Sequence, residues 1–320
     1  MPELPEVETV ARTLAPEVCG RAIVRAELIG KSAWEGGIGP EALERVRPVI
    51  CGTGRRGKLL LLFFQRTGEG VCSSRPTPKE PAVPDMSARW PLMYTASGTV
   101  QAAEYFPKGA VWPGELAALA FHLRMTGRVF VFDADVPAGP HTRAVFTLDN
   151  GRQLFFDDVR KFGRIRCVSL PELPAWNFWN ALGPEPLELS GEAFASRFAS
   201  VRPVKTLLLD QSVVAGVGNI YACESLFRAG IRPDTPGRAL SPSRLKTLHA
   251  CLKEILLEAI RECGSSIRDY RTARGDAGAF QNHFCVYGRA GEPCLACGST
   301  LHSVRIAGRT TVFCPHCQLG

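Results

Sequence analysis

Near its C-terminus the chain carries Cys294-x2-Cys297 and, after 16 residues (298–313), Cys314-x2-Cys317. Two close pairs at that separation demand a turn at each pair and a short excursion between them. They fit one tetrahedral zinc ion held by four thiolates. Arg305–Phe313 alternates polar and apolar residues around Ala307-Gly308, as a two-stranded finger would, with Gly308-Arg309 near its tip. The remaining cysteines, at 19, 51, 72, 167, 223, 251, 263 and 285, stand singly. Many lie in apolar stretches, where a free thiol packs as a small hydrophobe. A reducing compartment with one metal site fits this usage better than a disulfide framework. Four thiolates leave the ion no open position for water, so it is structural, and zinc-hydroxide hydrolysis is disfavoured.

The 320 residues exceed the ~100–200 usual for one domain, so more than one is expected. A hydrophobic share of 45% is enough for real cores, and the net charge of +7 favours a polyanionic partner if it gathers on one surface. No apolar run approaches the ~18 residues needed to span a bilayer. The acidic N-terminus has no signal-peptide pattern, and a cytoplasmic protein is expected.

The chain opens Met1-Pro2-Glu3-Leu4-Pro5-Glu6-Val7-Glu8-Thr9-Val10. An initiator methionine is usually trimmed before a small residue such as proline. Trimming leaves Pro2 as a free secondary amine with the Glu3 carboxylate beside it. An α-amino group titrates near ~7.7–8.0, so a useful fraction is unprotonated at neutral pH without any burial. Such an amine attacks an electrophilic carbon and forms an electron-withdrawing Schiff base, and the neighbouring carboxyl can move the protons.

Val7–Val18 reads as a helix, with Val7, Val10, Ala11 and Leu14 at helical spacing and Glu6 and Glu8 suited to its dipole. Strands are expected over Ala22–Ile29 and Lys58–Phe64, with the Lys58 ammonium at one end of the sheet. From about Arg66 to Glu115 seven prolines break the pattern, which reads as an insertion, mostly irregular, between two strands. Strands resume at Leu119–Leu123 and Arg128–Phe132, either side of Arg124-Met125-Thr126-Gly127. Arg143–Leu148 and Arg152–Phe156 flank Asp149-Asn150-Gly151, a strong hairpin signal. A loop over Asp157–Gly163 and a strand over Ile165–Val168 follow. Short strands so spaced suggest a sandwich or barrel-like first domain. Pro171–Pro186, with four prolines, reads as a linker.

The second half is helical. Val204–Val213 and Ile220–Ala229 flank Ala215-Gly216-Val217-Gly218-Asn219, which would place Asn219 at an N-cap and create an anion site suited to a DNA phosphate. Ser241-Pro242 opens a long helix with a stripe from Leu245 to Ile260, stopped by Gly264. Arg271–Phe280, polar with two glycines, is a candidate mobile loop.

Pro-Glu-Leu-Pro-Glu-Val-Glu-Thr at 2–9, Val-Gly-Asn-Ile-Tyr-Ala at 217–222, Val-Tyr-Gly-Arg at 286–289 with Gly-Glu-Pro-Cys at 291–294, and the zinc cysteines occur in this order. Together they closely resemble the bacterial formamidopyrimidine-DNA glycosylases over nearly the whole chain except 66–115. The resemblance implies an α+β multidomain fold: an N-terminal β-sandwich with flanking helices, a helical helix–two-turn–helix domain and a C-terminal β-hairpin zinc finger. It sets the boundaries at 1–170, a linker at 171–186, then 187–284 and 285–320. It implies a monomer acting on double-stranded DNA with oxidised bases or abasic sites. The implied reaction excises oxidised purines, 8-oxoguanine and formamidopyrimidines, and then cuts the strand by β,δ-elimination.

By the same resemblance, Pro2 is the nucleophile at the sugar C1′ and Glu3 the acid/base that helps open the sugar. Lys58 moves protons in β-elimination and contacts phosphate, and Arg309 serves δ-elimination. His141, Arg160, Lys205 and Asn219 match DNA contacts. Met125, Arg160 and Phe162 match the residues that fill the gap left by the extruded nucleotide, since a base cannot be attacked inside the stack. Two departures bear on lesion preference. Arg124 stands where the family usually has glycine, and Val159 and Lys161 stand where relatives commonly have proline and a second arginine. Two other readings remain: an endonuclease VIII-type enzyme for oxidised pyrimidines, against which Met125, Phe162 and Leu4 argue, and a zinc-finger protein that binds damaged DNA without catalysis.

Overall fold

The structure, a computed structural model, describes residues 1–29, 33–65, 92–95, 98–101, 116–134, 136–169, 172–266, 270, 272–273 and 275–320. It divides into two compact units. Unit 1 comprises Met1–Pro2, Glu6–Asn180 and Arg268–Ala277; unit 2 comprises Glu3–Pro5, Ala181–Ile267 and Gly278–Gly320.

Unit 1 is two sheets face to face. The strands β1 (Ile23–Leu28), β2 (Trp34–Glu35), β3 (Ile50–Arg56), β4 (Leu59–Phe64), β5 (Leu92–Thr95), β6 (Gly98–Gln101), β7 (Leu116–His122), β8 (Gly127–Phe132), β9 (Thr142–Leu148), β10 (Gln153–Asp158) and β11 (Arg164–Ser169) build it. One sheet has the order β1-β9-β10-β8, the other β2-β11-β7-β4-β3-β5-β6. Side chains alternate faces along a strand, so Leu60, Leu62 and Phe64 of β4 point inward with Leu119 and Phe121 of β7. They meet Phe146 and Phe156 of the other sheet; Phe121 lies 5.9 Å edge-on to Phe146 and 5.7 Å from Phe156. Helix α1 (Leu4–Val18) lays Val7, Val10, Ala11, Leu14 and Val18 on the same core, and Pro5 in its first turn suits a position whose N–H would be unpaired anyway.

Several elements lie beyond the sequence expectations. Strand β3, short β2 and helix α2 (Glu41–Val46) carry too little periodicity to stand out. Lys58 does not open β4 but sits in the tight β3–β4 turn with Gly57, whose φ of 58° suits glycine. The expectation of a mostly irregular 66–115 needs correction where it can be seen. β5 and β6 form a hairpin that extends the sheet beside β3, pairing Thr53 with Tyr94 and Gly54 with Met93. The rest of that expectation falls on residues 66–91, 96–97 and 102–115, outside the described residues. The expected linker holds a short helix, α3 (Asn177–Ala181), because Trp176 and Trp179 bury against the outer face of β4 and β7.

Unit 2 contains helices α4 (Gly191–Ala195), α5 (Val204–Leu209), α6 (Asn219–Arg228) and α7 (Pro242–Arg261), and the hairpin β12 (His302–Ile306) and β13 (Arg309–Phe313). Helix α7 follows the expected stripe; the Ser241 hydroxyl accepts the Arg244 amide, and the positive φ at Cys263 and Gly264 ends it. Helix α5 stops at Leu209, short of the expected 213, where Asp210 turns to accept the amide and hydroxyl of Ser212. Of the expected loop at 271–280, Arg271 and residue 274 lie outside the described residues. Tyr270 and Ala273 instead bury in the unit 1 core, with Tyr270 Oη donating to the Glu6 carbonyl.

Candidate active site and nucleic-acid interface

In unit 1 three of the expected residues come together on two loops. Arg160 Nη1 lies 3.1 Å from Met125 Sδ, and its guanidinium sits 4.9 Å over the Phe162 ring. Phe162 is 48% exposed, a large apolar ring held at a surface by a cation rather than by a core. One residue that sequence reasoning missed organises both loops. The buried Asp158 carboxylate accepts the Thr126 hydroxyl from the Met125 loop, the Arg160 amide at 3.2 Å and the Gly163 amide at 2.6 Å. An acidic residue closing a strand just before a basic loop is the signal that points to it. Arg124 has φ 53° and Lys161 φ 59°, left-handed backbone that favours glycine. That geometry explains why glycine fits at the Arg124 position.

Lys58 is 8% exposed at the β3–β4 turn. Arg55 stabilises that turn by donating to the Gly57 carbonyl at 3.1 Å and pairs with buried Glu8 of α1 at 3.0 Å. Glu8 also accepts from Arg12 and from the Tyr94 hydroxyl of β5. Burial raises the Glu8 pKa, but Arg55, Tyr94 and Arg12 outweigh it and hold the carboxyl below its ordinary value. Thus the helix that begins two residues after Pro2 is fastened to the turn that carries Lys58. His122, also missed, pairs in register with Leu59 next to that turn. Burial first, then Arg124 and Lys58, push its pKa down to about 3, so it is a neutral ring at working pH, and its Nδ1 accepts the Arg124 amide. His141 is exposed at the head of β9.

In unit 2 the two-turn segment folds around Gln211, which accepts from the Gly216 amide and donates to the Leu209 and Val217 carbonyls. This leaves Gly216 (φ 87°) and Gly218 against the start of the chain. A Cβ on Gly218 would meet the Glu3 carboxyl at 2.3 Å. Leu4 donates to the Gly216 carbonyl, and Glu3 Oε1 accepts the Ile220 amide at 3.1 Å. The anion at the α6 N-terminus is therefore Glu3, not a position left for phosphate as the sequence suggested. Asn219 is likewise not the cap: Gly218 takes that place, and Asn219 Nδ2 donates to the Thr310 carbonyl of β13 at 3.0 Å.

Lys205 does not face solvent, as a direct DNA contact would. It is fully buried, donating to Thr311 Oγ1 at 2.7 Å and lying 3.1 Å from Cys223 Sγ. Burial draws its pKa down despite Cys223 and Glu3, which raise it, while Arg309 lowers it further. Lys205 therefore feels the charges of both Glu3 and Arg309. Ala307 (φ 49°) and Gly308 (φ 71°) make a two-residue turn with both φ positive, as type I′ requires, and Arg309 leaves it exposed. Buried Glu224 of α6 accepts the amides of Cys285, Val286 and Tyr287 at 2.7–3.0 Å, which explains the placement of the 286–289 motif.

The ligand atoms of Cys294, Cys297, Cys314 and Cys317 all lie within 4.8 Å of one another. Zn–S bonds of ~2.3 Å place tetrahedral sulfurs about 3.8 Å apart. The pairs Cys294–Cys317 at 3.9 Å and Cys297–Cys314 at 3.5 Å bracket that figure, so the four thiols fit one structural zinc.

A sandwich, a helix–two-turn–helix and a thiolate-held hairpin, with a carboxylate from the chain's start on the two-turn helix, define a class of zinc-finger protein built from these three parts. Family models agree. Residues 1–83 and 96–165 match the formamidopyrimidine-DNA glycosylase N-terminal domain, 182–271 its H2TH domain, and 291–319 the zinc finger found in FPG and IleRS. The chain is 47% identical to the formamidopyrimidine-DNA glycosylase of Nitratidesulfovibrio vulgaris, over 99% of this chain and 100% of the relative. It is 35% identical to that of Bacillus subtilis, over 99% of each. It resembles the crystal structure of the MutM (Fpg) protein from Thermus thermophilus, with a TM-score of 0.75, 35% identity and coverage of 99% and 98%. It also resembles Lactococcus lactis Fpg in complex with abasic-site DNA, with a TM-score of 0.75, 31% identity and coverage of 99% and 100%. The chain belongs to the formamidopyrimidine-DNA glycosylase family.

Proposed function

We propose that the chain is a bifunctional DNA glycosylase and AP lyase that removes oxidised purines, 8-oxoguanine and formamidopyrimidines, from duplex DNA in the bacterial cytosol, acting as a monomer at the nucleoid. The observation that carries this reading is the Glu3 carboxylate, seated on the α6 N-terminus and covalently adjacent to Pro2. Once Met1 is removed, the Pro2 nitrogen attacks C1′ of the damaged nucleotide, the N-glycosidic bond breaks and the base departs. Glu3 passes a proton to the sugar ring oxygen as the ring opens to an iminium. Lys58 assists loss of the C2′ proton, which expels the 3′ phosphate, and Arg309 assists the second elimination, which expels the 5′ phosphate. Met125, Arg160 and Phe162 fill the space of the extruded nucleotide, their apolar surface offsetting an unstacking cost of a few kcal/mol. His141 and Asn219 contact the DNA backbone, while Lys205, being buried, acts through its bond to Thr311 beside Arg309. The zinc, held by the four cysteines, fixes the hairpin that presents Arg309.

Borohydride trapping on an abasic-site duplex tests the reading. A crosslink at Pro2, lost in Pro2→Gly, is expected; no crosslink in a preparation free of Met1 leaves binding without catalysis as the better reading. Cleavage of 8-oxoguanine opposite cytosine, compared with thymine glycol, separates this assignment from an oxidised-pyrimidine enzyme.

A further inference from the structure

Unit 1 holds a cavity of about 300 Å³ that none of the catalytic steps uses. It lies on the outward face of the seven-stranded sheet. Strand register explains its composition. Leu59, His122 and Arg164 stand in one row across β4, β7 and β11, and Ala120 and Arg166 in the next, with Glu35 of β2 beside Arg166. Alternation sends their neighbours Leu60, Phe121 and Ile165 into the core and leaves these side chains facing out. Ala120 offers only a methyl as floor, which opens the space. Trp176 and Phe178, from the chain after β11, form an aromatic wall.

The chemistry of the lining is specific. Arg124, Arg164 and Arg166 contribute three positive charges and Glu35 one negative, a balance of +2, while His122 remains neutral. Among the described residues none of these three guanidinium groups pairs with a carboxylate; Arg166 instead lies 5.0 Å over the Trp176 ring, and Arg164 donates to the carbonyls of Lys161 and Gly163. Guanidinium forks match phosphate oxygens, and ring walls stack on bases without regard to sequence. A volume near the lower end of ligand pockets suits one nucleotide rather than a duplex. A terminal phosphate carries up to two charges, matching the +2 lining better than a diester's one.

We propose that this cavity binds a nucleoside phosphomonoester, as a free mononucleotide or as the phosphorylated end of a DNA strand. The second source rests on the catalytic reading above, since β,δ-elimination leaves phosphomonoesters on both sides of the gap. Held there, a product end would be released slowly.

Isothermal titration of the full zinc-loaded chain tests this with deoxyguanosine 5′-monophosphate, a 5′-phosphorylated trinucleotide and its 5′-hydroxyl twin. Micromolar to sub-millimolar binding of at least one phosphorylated probe is expected, weakened tenfold or more by Arg166→Ala and by Ala120→Leu, which fills the floor. Binding of the mononucleotide alone assigns the free source; a trinucleotide that needs its phosphate assigns the strand end. If Ala120→Leu does not fold, Arg166→Gln gives the same readout. Pro2→Gly should bind normally while failing to trap, so failure of the catalytic reading leaves this test intact. No binding at millimolar probe, or binding untouched in variants that melt like the parent, overturns the proposal.

Discussion

Replacing Asp158 with asparagine changes one atom, yet it should loosen both loops that carry Met125, Arg160 and Phe162. One carboxylate oxygen accepts the Thr126 hydroxyl and the Arg160 amide, and the other accepts the Gly163 amide. Asparagine keeps one acceptor oxygen and turns the other into a donor. Whichever way the amide lies, a donor faces a donor. Hydrogen bonds to a charged group contribute ~1.5–3 kcal/mol each, so Asp158→Asn should cost about 2–3 kcal/mol, and Asp158→Ala, which orphans all three donors, about 4–5 kcal/mol. At ~2–4 °C per kcal/mol for a domain of this size, the asparagine variant should melt roughly 4–12 °C lower. On the proposed role of these loops, filling the duplex rather than doing chemistry, excision of 8-oxoguanine should fall more than trapping on a pre-formed abasic site. Thermal melting alongside single-turnover excision and trapping checks both halves. Melting within 1 °C of the parent with undiminished excision would refute the role given to this carboxylate.

Four further outcomes follow from the same geometry. Gly218→Ala has an ordinary extended backbone available but sets a methyl against the Glu3 carboxyl; it should cut borohydride trapping at least tenfold at saturating DNA, and parent-like trapping would remove Glu3 from its seat on α6. His122 stays unprotonated to about pH 3 whereas an unfolded histidine takes its proton near ~6.5, so the stability it permits is complete above pH 6.5 and declines as pH falls toward 3, by roughly 2 kcal/mol at pH 5; denaturant midpoints against pH should be flatter in His122→Gln. Tyr94→Phe removes a donor from Glu8 and should lower stability by ~1–2 kcal/mol at pH 7; since the lowered Glu8 pKa contributes stability above the unfolded carboxyl value and loses it as pH falls through the folded one, the deficit should shrink below about pH 4. Stripping zinc with a chelator should release one ion per chain and unfold the hairpin, structural sites in finger peptides binding with on the order of 10 kcal/mol; undiminished far-ultraviolet circular dichroism and DNA binding would argue against a structural ion.

What could be read from the sequence was local. The four cysteines, the Ala307-Gly308 turn and the stripe on α7 each encode their geometry in adjacent residues, and each folds as its spacing indicates. What escaped depends on partners far along the chain. Asn219 looks like a cap because its residue type favours that position, but a carboxylate 216 positions earlier already serves the helix, which frees the amide to hold β13. Lys205 looks like a phosphate ligand until Thr311 is seen to claim its ammonium. Asp158 and His122 gave no motif, because their roles come from the strand register that sets them beside Thr126 and Leu59. Tyr94 lay hidden in a proline-rich stretch whose composition masked a hairpin.

The seat of Glu3 on Gly218 and Ile220 also has a consequence for biosynthesis. A ribosome adding ~5–20 residues per second needs roughly 10–40 s to reach position 220 from the start. Throughout that interval residues 3–5 lack the 216–220 surface on which they settle in the folded chain. The same delay withholds the seat of Glu3 until about two-thirds of the polypeptide exists, and, on the chemistry proposed for Pro2, pulse-labelled truncations ending before 216 should form no adduct with abasic DNA.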